Sequence, residues 1–266
     1  MRLLSLAPSN TEILYALGLG DDIIGVTAYC DYPPGAKKKP KVGSWITTQP
    51  EKIKDLKPDL IFTSYFLPEI LKNWEGPGEV IHVVPKTIKD IYKSIKILGK
   101  VTKRIRNSEK IIQELQRELD KIRQNQPNTI KKVYMEEWPA SPASSQGGLQ
   151  PPFVSGNWVP ELVEIAGGIP VLTEKGKPSF EVQIDTLISS DPDIMIFHWC
   201  GFGERFRKQF VLDRPASPER KRGEPGWSKL RAVKNGQLFS IDDSLLNRPG
   251  PRLAEGAKKI QTILIS

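Results

Sequence analysis

Ile53, Leu56, Pro58-Asp59 and Leu60-Ile61-Phe62 in the first half are matched by Leu187-Ile188, Pro192-Asp193 and Ile194-Met195-Ile196-Phe197 in the second. Each stretch reads as a helix stopped by Pro-Asp and followed by a buried strand, because proline has no N–H to donate and cannot continue a helix. Upstream of each lies a second matching pair. Glu12-Ile13-Leu14 leads to Leu17-Gly18, and Glu161-Leu162-Val163 leads to Ala166-Gly167-Gly168. Glycine there supplies the left-handed residue that ends a helix. The same signals in the same order, twice, predict two similar α/β lobes. Ligands bind between such lobes, so a binding protein is the leading expectation.

Working outward, residues 2–7, 22–26, 59–63 and 79–84 read as strands of the first lobe, with helices over 49–56, 67–73 and 87–100. Ser9-Asn10-Thr11-Glu12 reads as a capping box opening the first helix. Residues 108–124 make the best helix, with Ile111, Leu115, Leu119 and Ile122 in one stripe. In the second half, strands are predicted at 131–136, 193–198 and 238–241, and helices at 158–165, 183–189, 202–210 and 252–264. Residues 139–152 and 214–226 read as loops, and 233–237 as a hairpin-like turn. Strands alternating with helices argue for mainly parallel sheets. The expected organisation is a lobe over 1–104, a connecting helix over 105–126 and a lobe over 127–266.

The chain has 266 residues, 38% hydrophobic and 26% charged, with a formal charge of +8. That is ordinary for a globular protein, and no apolar run approaches the roughly 20 residues of a membrane helix. The basic runs Lys37-Lys38-Lys39 and Arg220-Lys221-Arg222 sit beside Pro, Gly and Ser. No nucleic-acid motif accompanies them, so a solvated lysine-rich surface is expected and no nucleic-acid partner. Cys30 and Cys200 make neither a disulfide framework nor a zinc site. The apolar start, residues 3–7, is broken by Pro8 and falls short of a signal core of roughly 7–15 residues. It reads as a first strand, which predicts a cytoplasmic protein unless an export segment lies upstream.

No catalytic constellation is visible. The two histidines lie outside any HExxH, CxxC or GxSxG setting, and no phosphate loop or GxGxxG occurs. The expectation is no catalytic residue, no metal ligand set and no cofactor. Adjacent acids at Asp21-Asp22, Glu136-Glu137 and Asp242-Asp243 should point apart. His198 ends an apolar strand and reads as a satisfied structural histidine, with ligation through His198-Trp199-Cys200 the alternative; His82 reads as part of a buried strand. Aromatics are more telling. Tyr29, Trp45, Tyr65-Phe66, Trp138, Phe153, Trp199 and Phe202 fall at strand ends, where open α/β sheets bind ligands. They suggest a broad, flat, partly apolar ligand, with about half of them filling the core.

Leu4-Ser5-Leu6-Ala7-Pro8-Ser9-Asn10-Thr11-Glu12, then Gly25-Val26-Thr27-Ala28-Tyr29-Cys30-Asp31-Tyr32-Pro33-Pro34 and Val42-Gly43-Ser44-Trp45, resemble the cobalamin and iron-siderophore substrate-binding proteins of ABC importers. Pro151-Pro152-Phe153-Val154-Ser155-Gly156 and Arg248-Pro249-Gly250-Pro251-Arg252 extend the resemblance over nearly the whole chain. It implies the class III periplasmic-binding-protein fold: two Rossmann-like α/β lobes with mainly parallel sheets, joined by one long helix. It further implies an extracytoplasmic, monomeric carrier of cobalamin or a related corrinoid, served by an ABC permease and its ATPase; a ferric siderophore or haem is the alternative cargo. Tyr29 and Trp45 would line one lobe's side of the pocket and Phe153 the other, and Asp243 would offer hydrogen bonds after the last strand. Glu69 and Glu204 would dock onto the permease. Trp199 and Phe202 join the ligand set from strand-end position alone, and Arg248 would suit an anionic ligand. A reading from another class is a tetrapyrrole chelatase-like enzyme, with His198 and a carboxylate converging on the metal.

Overall fold

The computed structural model describes residues 1–44, 47–139, 141–142, 149–212 and 227–266. The chain divides into two compact units, Met1–Leu115 with Pro249–Pro251 and Gln116–Arg248 with Arg252–Ser266.

Unit 1 is built on β1 (Leu3–Ser5), β2 (Ile23–Val26), β3 (Leu60–Ser64) and β4 (Glu79–Val83), ordered β2-β1-β3-β4 with every pair parallel. β1 and β3 are buried throughout, as strands covered on both faces must be. β4 is the edge, and it exposes His82 where the sequence suggested a buried strand. Helices α1 (Pro8–Ala16), α2 (Pro50–Leu56) and α3 (Ile88–Val101) alternate with the strands, and α4 (Ile105–Gln124) follows. Leu4, Ile53, Ile61 and Leu71 form one apolar cluster, each worth about 1.5–3 kcal/mol on full burial.

The helix starts differ from expectation. α1 opens on Pro8 at its first position, with Ala7 as N-cap and no capping side chain; a proline there costs no hydrogen bond. Residues Ser9 to Glu12 lie buried inside the first turns, and the Thr11 hydroxyl bonds Ala7 O (3.1 Å) and Ser5 Oγ (2.8 Å). The capping box belongs to α3: Thr87 Oγ1 accepts from Asp90 N–H, and the Asp90 carboxylate accepts from Thr87 N–H. Bonds from Lys93 and Thr87 hold that carboxyl down to about 2.

Unit 2 holds β5 (Lys132–Trp138), β6 (Phe153–Val154), α5 (Val159–Ala166), β7 (Ile169–Pro170), β8 (Phe180–Glu181), α6 (Ile184–Ser190), β9 (Ile194–Phe197), β10 (Leu238–Ser240) and α7 (Leu253–Ile265). The sheet runs β8-β6-β5-β9-β10, with β7 also on β5. β9 pairs parallel with β5 and β10, whereas β6 is antiparallel to both β5 and β8. The sheet is mainly parallel, as expected, with β6 the one strand that runs against the others. Ser141–Pro142 pairs with Leu149–Gln150 inside the predicted loop.

The repeated signals have a common geometry. Lys57 (φ 44) and Asp191 (φ 39) each end their helix in the left-handed region one residue before Pro-Asp. Gly18 (φ 80) and Gly167 (φ 96) serve the other pair. Two predicted helices are shorter: 67–73 is a single turn at Glu69–Leu71, and 202–210 is split into Gly203–Arg205 and Gln209–Leu212. The break falls at Phe206, whose backbone is extended (φ -56, ψ 137). The expected turn at 233–237 is the end of a helical turn, Arg231–Lys234, leading into β10.

α3 and α4 approach closely at Gly99, where an added Cβ would lie 2.4 Å from Ser108 Cβ. Alanine is the better helix former by about 1 kcal/mol, yet overpacking costs about 1–3 kcal/mol. Gly99→Ala is expected to lower the urea midpoint, and Gly99→Ala with Ser108→Gly to recover most of the loss.

Candidate functional site

In unit 1 the parallel strands deliver their carboxyl ends to one edge. After β2, Cys30 N–H bonds Thr27 O (3.2 Å) and Ala28 N–H bonds Gly43 O (2.9 Å), closing a turn. Cys30 is buried, with Sγ 3.2 Å from Thr27 Oγ1, and burial pushes its thiol up. Lys41 Nζ ties the turn down through Cys30 O (3.2 Å) and Ala36 O (3.1 Å). The turn is pinned from inside and Tyr29 stands out of it, 55% exposed.

After β3, Phe66 N–H bonds Ser64 O at 2.7 Å across Tyr65, whose φ is +64. This is a γ-turn with a non-glycine residue in the left-handed region, a rare and strained arrangement. It throws Tyr65 (37% exposed) and Phe66 (55%) outward, their rings 6.1 Å apart. Trp45 lies outside the described residues. Glu69 is on the next turn, its side chain 82% exposed and paired with Lys72 at 2.6 Å.

In unit 2 the corresponding edge is partly closed. Trp199 was expected to face a ligand; it is buried instead, ringed by Phe197, Phe202, Phe206 and Phe210. Its indole N–H donates to Glu136 Oε1 (2.8 Å), a carboxylate that also accepts from the Tyr134 hydroxyl (3.2 Å). Phe202 is half-buried on the Trp199 ring, with the Arg205 guanidinium 5.6 Å from its centroid. Trp199 is thus a plug of this unit's core. Trp138, at the end of β5, is 45% exposed and sits directly across from half-buried Phe153. The side chain of Glu204 lies outside the described residues.

His198 is closed to ligands. Asn247 Nδ2 donates to His198 O (3.3 Å) and Cys200 Sγ (2.9 Å), so Asn247 Oδ1 accepts from His198 Nδ1–H at 2.6 Å. Nε2 then accepts from the Ser155 hydroxyl at 2.5 Å. Burial pushes the imidazole down to about 4, against the Asn247 bond. With both nitrogens engaged, it has no lone pair for iron and no proton to exchange at neutral pH. Neighbouring Cys200 is pushed up to about 12, by burial first and then by the charges of Glu137 and Asp243. Among the described residues no three His, Cys, Asp or Glu side chains converge as a metal site requires.

Asp243, on the turn after β10, is half-buried. Burial raises its carboxyl, Asp242 adds to that, and the Gly201 N–H bond and the Arg248 charge oppose it. Glu137 is raised by burial and accepts from Ser179 Oγ. It points away from Glu136, as adjacent strand residues do. Asn247 and Ser155 carry no local signal, since their meeting with His198 spans 49 and 43 residues. Tyr65 did carry one: an aromatic immediately after an apolar strand.

Residues 3–245 match the periplasmic binding protein family. The chain belongs to that family. It is 30% identical to a vitamin B12-binding protein of Vibrio vulnificus, over 94% of this chain and 85% of the relative. A substrate-binding lipoprotein of an ABC transporter in Bacillus subtilis is 27% identical, over 97% of this chain and 78% of its own. The crystal structure of a possible iron-binding, periplasmic solute-binding protein from Staphylococcus epidermidis superposes with a TM-score of 0.76 at 27% identity, covering 100% of this chain and 98% of that one. The fold is that of the periplasmic binding proteins.

The buried imidazole has a consequence for stability. Between pH about 6.5 and 4 the unfolded histidine takes up a proton that the folded one refuses, so its contribution is lost as pH falls. Glu137 and Asp243, raised by burial, act in the opposite sense, so the histidine's share is read as a difference. Unfolding free energy is expected to fall between pH 7 and pH 5 by about 2 kcal/mol more in the wild type than in His198→Gln.

Proposed function

We propose that this chain is the substrate-binding component of an ABC importer and that its cargo is a corrinoid, cobalamin first. The observation that carries the reading is the set of outward aromatics at the strand ends of unit 1: Tyr29, Tyr65 and Phe66, each held by a pinned turn. A corrin offers a wide face for such rings and a periphery of amides. Trp45 is assigned to the same platform by resemblance. Trp138 with Phe153, and Asp243 as a polar contact, are the contribution proposed for unit 2. Trp199 is left out, because its ring is enclosed. The family and the vitamin B12-binding relative support the same assignment.

The chain works as a carrier, with no catalytic step. A chelatase needs a histidine free to meet the metal, and His198 is bonded at both nitrogens. An iron chelate is the second reading, favoured by the iron-binding structural neighbour; for haem, exposed Tyr29 would be the iron ligand, since His198 is closed. The operating compartment is extracytoplasmic, in keeping with the family and the lipoprotein relative. No described helix is long and apolar enough to cross a membrane.

Isothermal titration with cyanocobalamin, dicyanocobinamide, a ferric siderophore and haemin tests the cargo. Cobalamin is expected to bind, and Tyr65→Ala and Trp45→Ala each to weaken it about tenfold, the loss of roughly one aromatic contact. Binding of only the iron ligands would replace the cargo and leave the carrier. Silence from all four would overturn the reading.

Glu69 and Glu204 are proposed to meet cationic residues of the permease. Glu69→Lys is expected to leave cobalamin affinity unchanged and to reduce uptake in cells carrying the transporter. Unchanged uptake would remove Glu69 from the docking surface.

A further inference from the structure

We propose that the outward face of α3 binds an anionic phospholipid surface. Lys89, Lys93, Lys96 and Lys100 recur at i, i+4, i+7 and i+11, and all are exposed. On an α-helix that places four ammonium groups within about 60° of arc and about 17 Å of axis. Lys103 and Arg104, also exposed, extend the row past the helix end. The opposite face, Ile88, Ile91, Ile95 and Leu98, is buried.

A solvated charged face ordinarily mixes its signs, and α4 shows what that looks like here. Lys121 pairs with Glu118 (2.8 Å), Arg123 with Asp120 (2.6 Å) and Arg117 with Glu118 (3.4 Å). On α3 only Lys93 has a partner, Asp90 at 2.9 Å. Among the described residues, Lys89, Lys96, Lys100 and Lys103 form no ion pair. Four like charges at helical spacing repel one another, a cost that an external anion would reverse.

The composition of the face selects the partner. Lysines act as flexible point charges, without the fork that arginine offers a fixed phosphate. A straight row of them suits a plane of laterally mobile headgroups. Ile97, 43% exposed, borders the row on one side, and half-buried Tyr92 on the other. Both types suit the level just beneath the headgroups. A single-stranded nucleic acid would call for open aromatic rings on which bases stack, and this face has none fully exposed. Each lysine near an anionic bilayer is worth about a fivefold change in partitioning, and salt screens it. The inference stands apart from the identity of the cargo.

Co-sedimentation with mixed phosphatidylglycerol–phosphatidylcholine vesicles, and with phosphatidylcholine alone, tests it. The full chain is expected to bind only the mixed vesicles and to be released by high salt. The variant K89Q/K93Q/K96Q/K100Q should lose about 100-fold or more in partitioning while keeping the far-UV circular dichroism spectrum of the folded wild type. The variant K37Q/K38Q/K258Q/K259Q, which removes the same charge elsewhere, should keep most of it. Equal loss in both variants would reduce the effect to net charge and overturn the proposal. So would absent vesicle binding, or tighter binding to single-stranded DNA than to vesicles at equal ionic strength.

Discussion

A parallel sheet brings the carboxyl ends of all its strands to one edge, and the rest of the structure follows from what the chain does on leaving that edge. In unit 1 every pair is parallel, so Tyr29 after β2 and Tyr65 after β3 emerge on the same side of the sheet. Unit 2 obeys the rule through an exception. β6 runs against β5, so its beginning, Phe153, meets the end of β5 at Trp138. An antiparallel strand thereby supplies an aromatic to the edge where β5, β9 and β10 end.

What happens at that edge differs between the units, and hydrogen bonding explains the difference. In unit 2 the chain after β9 turns inward: His198, Ser155, Asn247 and Cys200 satisfy one another, and Glu136 is capped by Tyr134 and Trp199. Buried polar groups joined in this way fix a unique arrangement at little net gain. In unit 1 the backbone of each turn is satisfied while the aromatic side chains are left outside. Side chains presented by pinned turns lose less freedom on meeting a ligand, so the same rings bind more tightly than they would on loose loops.

The repeat was legible because its signals are local. Proline after Lys57 and after Asp191, and glycine after Leu17 and after Ala166, act within one or two residues of the helix they end. The first helix was legible too, but its cap was misassigned. Ser-x-x-Glu fits a capping box by pattern, whereas Pro8 one residue earlier already makes the start. Trp199 and Tyr65 could not be ranked from sequence, since both lie two or three residues past the last apolar residue of a strand. Their fates diverge through later residues. Gly201 and Gly203 fold the chain back so that Phe206 and Phe210 cover Trp199, while Tyr65 turns outward on its own φ. His198 was readable as structural, but Ser155 and Asn247 were not, because nothing in a single sequence marks contacts that distant.

Charge follows the same logic of placement. A net charge of +8 says little while its distribution is unknown. α4 neutralises itself with pairs three residues apart, so its many charges project little field. α3 cannot do the same, because its acidic residue sits in the first turn, engaged by Thr87 and Lys93. Nor can it hide the remaining lysines by rotating. Gly99 against Ser108 sets how closely the two helices approach, and Ile88, Ile91, Ile95 and Leu98 must face the core. The packing that stabilises the helix therefore also fixes which arc faces outward, and that arc carries the lysines.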